Sequence, residues 1–151
     1  MSKAAVADTP DLQPRVLKRV QEILKTQQLR SDHDLLQAVE ERLPTDVVDG
    51  LRRSGVTDDE VYTLVVPRRT LTHRRARGEA LSQDESDRAV RLARTVALAE
   101  QVFGDAERAW RWLRASKRQF RGRSPLQLLA TDAGARLVEE LLYRVDEGMA
   151  A

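Results

Sequence analysis

Apolar residues recur along most of the chain at the three- and four-residue spacing of a helix that is buried on one side. Val16, Val20 and Leu24 follow this spacing first, and similar stripes return throughout the sequence. No segment sustains the alternation of apolar and polar residues that indicates a strand. We therefore predict an all-α protein. Its first helix begins at Pro14, because proline suits a first turn, and residues 1–13, which show no period, form a flexible tail.

Capping residues divide the remainder into helices. Thr57 with Glu60 and Ser82 with Glu85 each fit a capping box, and the second box opens a long helix that ends at Gly104. Further caps are predicted at Ser31 or Asp32, at Asp105, at Ser124 and at Thr131 or Asp132. The predicted inward-facing residues include Leu35, Leu36 and Val39 after the first of these caps and Leu137, Val138, Leu141, Leu142 and Val145 after the last, with Gly148 as the helix end.

The strongest functional signal is a pair of short helices in residues 57–77. The first begins with acidic residues, and the second, residues 67–77, carries five arginines and no acid, with Pro67 suited to its first turn. A bracing helix, a tight turn and a basic helix form a helix-turn-helix, whose second helix contacts duplex DNA. The alternative is a solvated basic helix. The predicted DNA-binding residues are Arg68, Arg69, Thr70, Thr72, His73, Arg74, Arg75 and Arg77, since these side-chain types contact bases or phosphates.

Charge is segregated along the chain although the net charge is only +2. Residues 31–61 carry nine acids and three bases, whereas residues 67–77 have a charge of +5. Residues 108–123 carry seven bases and no acid, and residues 132–147 have a charge of −3. A protein that needed only solubility would mix its signs. The basic segments indicate a polyanion, an acidic partner, or both.

The second basic segment, residues 108–123, interleaves arginines with aromatic residues, and three interpretations remain open. Trp112 and Phe120 can stack on single-stranded nucleic acid. They can also anchor a protein partner, because tryptophan and arginine are common at binding hot spots. In the third interpretation Trp110 and Trp112 belong to the core and the arginines are solvated.

Catalytic and metal-binding patterns are not found in the sequence. The two histidines, His33 and His73, lie in no nucleophile or metal-ligand pattern, and there is no glycine-rich phosphate loop. We therefore predict a protein that is not an enzyme and that has no cofactor and no metal. The absence of cysteine is compatible with a reducing cytosol, and no apolar run approaches a membrane span, so we expect a cytoplasmic protein.

The C-terminal half resembles a known family. The segments AEQVFGDAERAWRWLR and GRSPLQLLATDAGARLVEELLYRVDEG are similar to the toxin-binding domain of the Xre/MbcA/ParS antitoxins of RES–Xre type II toxin–antitoxin modules. LPTDVVDGLRRSGVTDDEVYTLVVPRRTLTHRR followed by LSQDESDRAVRLAR resembles the Xre-like helix-turn-helix that precedes this domain in the family. The likeness covers residues 35–148. The chain departs from it at Ser116 and Lys117, where a Pro-Asn pair is usual, and at Phe120, where an aliphatic residue is usual.

The resemblance implies an antitoxin that occludes the active site of a RES-domain, NAD-consuming toxin and represses its own operon as a DNA-bound homodimer. The implied organisation is a tail in residues 1–13, the Xre-like helix-turn-helix region in residues 14–81, a connecting helix in residues 82–104 and a small helical toxin-binding domain in residues 105–151. The first helix or the long helix is the expected dimer interface. The implied toxin-binding residues are Trp112, Arg118, Phe120, Arg123, Leu126, Thr131, Arg136, Glu140, Arg144 and Glu147. The alternatives are a repressor without a toxin partner and a binder of single-stranded nucleic acid.

Overall fold

The computed structural model describes the backbone of residues 3–150 and the side chains of residues 12–148. Within these residues the protein is all-α, as predicted, and contains no strand. A short 3-10 helix, Arg118–Phe120, lies between the seventh and eighth α-helices. The α-helices are α1 (Lys3–Leu24), α2 (Asp32–Glu40), α3 (Val47–Arg53), α4 (Asp58–Leu64), α5 (Arg68–Arg77), α6 (Gln83–Phe103), α7 (Ala106–Arg114), α8 (Pro125–Leu128) and α9 (Asp132–Ala150).

The predicted capping residues begin their helices. The carboxylates of Glu60 and Glu85 accept hydrogen bonds from the backbone N–H groups of Thr57 and Ser82, and the two cap hydroxyls accept from the Glu60 and Glu85 N–H groups in return. Gly104 ends α6 with a φ of 71°, a left-handed conformation that favours glycine. The other caps are Ser31 for α2, Asp105 for α7, Ser124 for α8 and Thr131 for α9.

The start of α1 differs from the prediction. The helix begins at Lys3 rather than at Pro14, so the described part of the expected tail is helical, and residues 1–2 of that tail lie outside the described residues. Three alanines in residues 4–7 favour helix strongly but create no apolar stripe, and the apolar period therefore did not reveal them.

Two smaller boundaries also differ. Pro67 is the N-cap of α5 rather than its first helical residue, because its ψ of 147° is extended. The last helix continues past Gly148, where an added Cβ would meet no neighbouring atom. A glycine inside a helix costs only about 1 kcal/mol relative to alanine, so glycine alone does not end one.

The long helix α6 is the centre of the core, since α1, α2, α7 and α9 all pack against it. Its residues Leu92, Ala93 and Val96 are at most 1% exposed. Helices from the first half of the chain and from the last third pack against this one helix. The helix that we predicted as a connector is therefore part of a common core.

Helix α1 packs along α6 and α3. Its apolar residues Val16, Val20 and Leu24 are buried, and Arg19 makes two hydrogen bonds, of 2.7 and 3.2 Å, to the carboxylate of Glu100 on α6. The apolar residues that suggested a dimer interface include Val16, Val20 and Leu24 of α1 and Leu92, Ala93 and Val96 of α6, and all six lie inside the protomer's own core. These six side chains are not exposed to a second copy of the chain.

Two leucines that the pattern placed inside are on the surface. Leu36 is 52% exposed and Leu137 is 51% exposed. Their neighbours Leu35 and Val138 are buried instead, 5% and 0% exposed. Because successive helical residues are about 100° apart, the second residue of an adjacent apolar pair is buried only where a neighbouring helix covers its side as well, and Leu36 and Leu137 are not covered in this way.

Candidate DNA-binding and toxin-binding surfaces

The helix-turn-helix pair is α4 and α5, joined by a turn of three residues. Val65 and Val66 in the turn are at most 1% exposed, and Leu71 in α5 is 3% exposed. These apolar contacts fix α5 against the rest of the domain. Gly78 ends α5 in the left-handed conformation, with a φ of 65°.

The outward side of α5 carries most of the residues predicted to bind DNA. Thr70 is half-buried, and five of the other predicted side chains are exposed without a carboxylate partner among the described residues: Arg68, Arg69, Thr72, His73 and Arg77. Three of these five are arginines, so this side of α5 is strongly cationic. An uncompensated cationic helix after a bracing helix has the electrostatic properties that phosphate binding requires.

The remaining two arginines of α5 contact neighbouring helices instead. Arg74 donates from Nε and Nη2 to the carboxylate of Glu85 on α6, at 2.7 and 3.2 Å. Arg75 donates to the Asp49 carboxylate at 3.1 Å. We therefore remove Arg74 from the predicted DNA-reading residues, because a charge held in a two-point ion pair and partly buried is not available to a base. The sequence did not reveal this partner, which lies eleven residues further along the chain.

Glu85 joins α5 and α6 within the helix-turn-helix half of the chain. Its carboxylate caps α6 through the Ser82 N–H at 2.8 Å and also accepts the two bonds from Arg74. Burial by itself would raise the pKa of Glu85, but the hydrogen bonds from Arg74 and Ser82 outweigh it and hold the pKa below its ordinary value. The carboxylate is therefore ionised at neutral pH, and α5 is fixed relative to α6.

The first helix of the C-terminal half, α7, is fixed against the turn between α3 and α4. The indole Nε1–H of Trp110 donates to the Ser54 carbonyl at 2.8 Å, and the Arg114 guanidinium lies 4.3 Å from the centre of the Trp110 ring. Arg114 also donates to the Gly55 carbonyl at 2.8 Å and to the Glu60 carboxylate. Trp110 is therefore a core residue, as the third interpretation of its segment held.

The aromatic residues of the second basic segment have different environments. Phe120 is only 7% exposed and belongs to the core, so it is not available to a partner as we had predicted. Trp112 is half-buried, with its ring 5.7 Å from that of Phe103 and with the Lys117 ammonium 4.9 Å from its centre. Only Trp112 keeps an accessible edge, and stacking along a single strand of nucleic acid would need several exposed rings.

The residues predicted to bind a toxin also divide by burial. Leu126, like Phe120, is a core residue, at 5% exposed. Thr131 is exposed, but its hydroxyl caps α9 by accepting from the Gly134 N–H at 3.0 Å. The remaining predicted side chains are exposed: Arg118 and Arg123 before α8, and Arg136, Glu140, Arg144 and Glu147 on α9.

The outward side of α9 has an apolar centre that the sequence analysis missed. Leu137 lies between Arg136 and Glu140 in sequence, beside the pairs Arg136–Asp132 at 3.1 Å and Arg144–Glu140 at 3.7 Å. These pairs are solvent-exposed and contribute little to stability. A helical projection would have separated Leu137 from Val138 and identified it as a surface residue.

No helix in the described part of the chain has the length and apolar character to cross a membrane. Among residues 12–148, no group of three or more histidine, aspartate or glutamate side chains is placed to hold a metal ion.

Both halves of the chain match domains of a known protein family. The model of the "Antitoxin Xre-like helix-turn-helix domain" matches residues 34–94, and the model of the "Antitoxin Xre/MbcA/ParS C-terminal toxin-binding domain" matches residues 98–148. The chain is 37% identical to Antitoxin Xre of Pseudomonas putida over 130 residues, which cover 86% of this chain and 82% of that protein. It is 29% identical to Antitoxin Xre of Yersinia enterocolitica over 118 residues, which cover 76% and 80%.

Proposed function

Because the chain belongs to the Xre/MbcA/ParS antitoxin family and carries both an Xre-like helix-turn-helix domain and a toxin-binding domain, we propose that it inhibits a RES-domain, NAD-consuming toxin and represses its own operon. Inhibition needs no chemistry from this chain. A surface that covers the toxin's NAD pocket and dissociates slowly is sufficient.

The observation that carries the toxin-binding proposal is the exposed leucine on α9. Leu137 is 51% exposed within the matched toxin-binding domain, and charged side chains of α9 surround it. An apolar anchor inside a charged rim is the usual arrangement of a protein-binding hot spot. Trp112 adds an amphipathic ring on the same half of the chain. We propose that the outward side of α9 covers the toxin's active site.

The DNA-binding proposal rests on the cationic side of α5. Arg68, Arg69, Thr72, His73 and Arg77 project away from the core, and Arg74 and Arg75 fix the helix to its neighbours. Side chains of these types read base edges and phosphates in a major groove. We propose that α5 reads the operator.

We also propose that the protein acts as a homodimer, because a single helix-turn-helix covers only one half-site of an operator. The core residues of α1 from Val16 to Leu24 and of α6 from Ala89 to Ala99 are too buried in the protomer to form the interface. Light scattering at micromolar concentration, with and without toxin, is the direct measurement. A strict monomer under both conditions would contradict the dimer.

The deciding experiment measures NAD consumption by the purified product of an adjacent RES-type reading frame. Full-length protein in stoichiometric excess should stop the reaction. Leu137→Glu should weaken inhibition by about 2 kcal/mol, roughly 30-fold, as expected for loss of an apolar anchor. Leu36→Glu is a matched control, since Leu36 is equally exposed but lies in the matched helix-turn-helix domain. If excess wild-type protein leaves NAD turnover unchanged, a repressor without a RES toxin partner becomes the better account.

A further inference from the structure

The second basic segment contains a compact loop, residues 117–123, that we call the basic loop. The Lys117 N–H donates to the Arg123 carbonyl and the Gly122 N–H donates to the Lys117 carbonyl, both at 3.0 Å, which closes the loop on itself. Phe120, 7% exposed, anchors it in the core. These contacts hold the backbone of the loop in one conformation, so the backbone positions that carry its exposed side chains are fixed.

Three arginines project from the basic loop. Arg118, Arg121 and Arg123 are all exposed, and none lies within 4 Å of a carboxylate oxygen among the described side chains. Within the described part of the chain, the three guanidinium groups make one hydrogen bond, from Arg123 Nε to the Phe120 carbonyl at 3.4 Å. Three uncompensated cations within six residues are unusual on a chain whose net charge is +2.

The basic loop lies beside the helix-turn-helix. A cleft of about 510 Å³ separates them, lined by Asp59 and Thr63 of α4 on one side and by Ser116, Gly122 and Ser124 on the other. The bonds from Arg114 to Gly55 and Glu60 hold the two sides together. The loop therefore faces α4 across this cleft at Gly122, although it belongs to the domain matched as toxin-binding.

The position that α4 takes in a DNA-bound helix-turn-helix indicates which part of the DNA the basic loop can contact. When the second helix of a helix-turn-helix enters the major groove, the first helix crosses the sugar-phosphate backbone. Three acids in the first turn of α4 would repel phosphates there. Two of them are paired, Asp58 with Arg52 at 2.7 Å and Glu60 with Arg114 at 2.8 Å. Two of the three charges are thus compensated, whereas Asp59 lines the cleft beside the basic loop without an ion pair among the described side chains.

We infer that the basic loop is a second DNA-contacting element, which binds phosphates that flank the base pairs read by α5. The inference rests on the proposed operator binding and extends it to a part of the toxin-binding domain. It also moves Arg118 and Arg123 from the predicted toxin surface to the DNA surface. Phosphate contacts carry no sequence information, so the loop adds affinity and fixes orientation rather than specificity.

The test compares wild-type protein with the triple variant Arg118→Gln/Arg121→Gln/Arg123→Gln on a duplex that contains the promoter with its flanking sequence. Each lost phosphate contact lowers the slope of log affinity against log salt by about 0.9, so two lost contacts should lower it by about two. Binding should become about tenfold weaker at physiological ionic strength, both on the promoter and on a scrambled duplex. A triple lysine variant at the same positions should restore most of the slope.

Two controls make the result specific. Arg15→Gln/Lys18→Gln/Arg30→Gln removes the same charge from exposed residues outside the cleft, and its salt slope should match that of the wild type. A duplex trimmed to the base pairs beneath α5 should bind wild-type and triple-variant proteins equally, because the flanking phosphates are gone. Circular dichroism of both variants checks that the fold is unchanged.

The possible outcomes separate this inference from the proposed function. If the triple variant keeps the wild-type slope while Arg69→Ala weakens promoter binding, α5 is the reader and the basic loop is not a DNA contact. If the triple variant binds DNA normally but no longer inhibits the toxin's NAD consumption, the loop belongs to the toxin interface and the inference is wrong. If the wild-type protein binds no promoter DNA, both the operator proposal and this inference fail.

Discussion

The Arg114 guanidinium makes two hydrogen bonds, of 2.9 and 2.8 Å, to the carboxylate of Glu60, 54 residues earlier in the chain. The same carboxylate caps α4 by accepting from the Thr57 N–H at 2.9 Å. One side chain therefore completes the start of the bracing helix and receives the contact from α7. The relative position of the two matched domains depends on this pair as well as on their shared helix.

Replacing Arg114 with alanine should destabilise the protein by about 1–2 kcal/mol. The change removes the charge-assisted bonds to Glu60, the bond to Gly55 and the contact with the Trp110 ring. Arg114 is 40% exposed, and solvent screening therefore reduces the free energy that each contact contributes. Urea denaturation measures the loss. Arg111→Ala on the same helix is the control. Among the described side chains Arg111 pairs with Glu107 alone, both are largely exposed, and the substitution should change stability by less than about 0.5 kcal/mol. Equal effects of the two substitutions would contradict the structural role of Arg114.

The free energy of unfolding should fall as the solution is acidified below about pH 5, because the ionised carboxylates of Glu60 and Glu85 stabilise the folded protein. Burial would raise the pKa of each carboxyl, but hydrogen bonds from Arg114 and Thr57 in one case, and from Arg74 and Ser82 in the other, lower it below the ordinary value of 4.5. The unfolded chain then binds protons at a higher pH than the folded chain does. The contribution is present in full above the unfolded pKa and is lost as the pH falls through the folded pKa.

Denaturation of wild type and Glu85→Gln at a series of pH values measures this contribution. The variant should be less stable at neutral pH and should show a shallower loss on acidification. Glu107→Gln, at a site 82% exposed, should follow the wild-type curve. A wild-type stability that stays constant from neutral pH to pH 3 would show that these ion pairs do not contribute.

Gly55→Ala should destabilise the protein by about 2–3 kcal/mol. The residue has a φ of 117°, and an added Cβ would clash with Nε1 of Trp110, which must then lose its bond to Ser54. Gly78→Ala is the matched control, because its φ of 65° is also positive but no atom lies within 4 Å of the added Cβ. It should cost only the backbone penalty of about 1 kcal/mol. Thermal melts of both variants give the difference, and equal melting temperatures would show that the Trp110 contact is unimportant.

Arg68→Ala and Arg69→Ala should each weaken promoter binding by about 1–3 kcal/mol if the arginine reads a base, with lower discrimination against a scrambled duplex. A residue that contacts only phosphate would instead weaken binding to all sequences alike. Arg74→Ala should chiefly lower stability, because its guanidinium is held by Glu85. Fluorescence anisotropy on both duplexes, together with urea denaturation, distinguishes these effects. Stronger loss of promoter specificity from Arg74→Ala than from Arg69→Ala would contradict our assignment of the reading surface.

Most of the capped helix starts and the basic side of α5 could be predicted from sequence because both depend on local chemistry, whereas the start of α1 could not. A capping box needs only two residues three apart, and Thr57 with Glu60 forms one as predicted. Side-chain partners across the fold are not encoded locally. The ion pair of Arg74 with Glu85 depends on how α5 packs against α6, and the burial of Phe120 depends on where the basic loop folds.

The shared core around α6 leads to a prediction about α1, which lies outside both matched domains. Val16, Leu17, Val20, Ile23 and Leu24 of α1 are all at most 4% exposed. Burial of each contributes about 1.5–3 kcal/mol, and together they approach or exceed the roughly 5–15 kcal/mol that stabilises a typical domain.

A protein shortened to residues 31–151 should therefore lose cooperative unfolding or melt at a much lower temperature, although it keeps the whole of residues 34–94 and 98–148. Arg19→Ala, which removes the bonds to Glu100 and a longer one to Glu22 but leaves the apolar residues of α1 in place, should lower stability by about 1 kcal/mol and keep the transition cooperative. Thermal denaturation followed by circular dichroism measures both, and an unchanged melting temperature in the shortened protein would show that α1 is dispensable to the core.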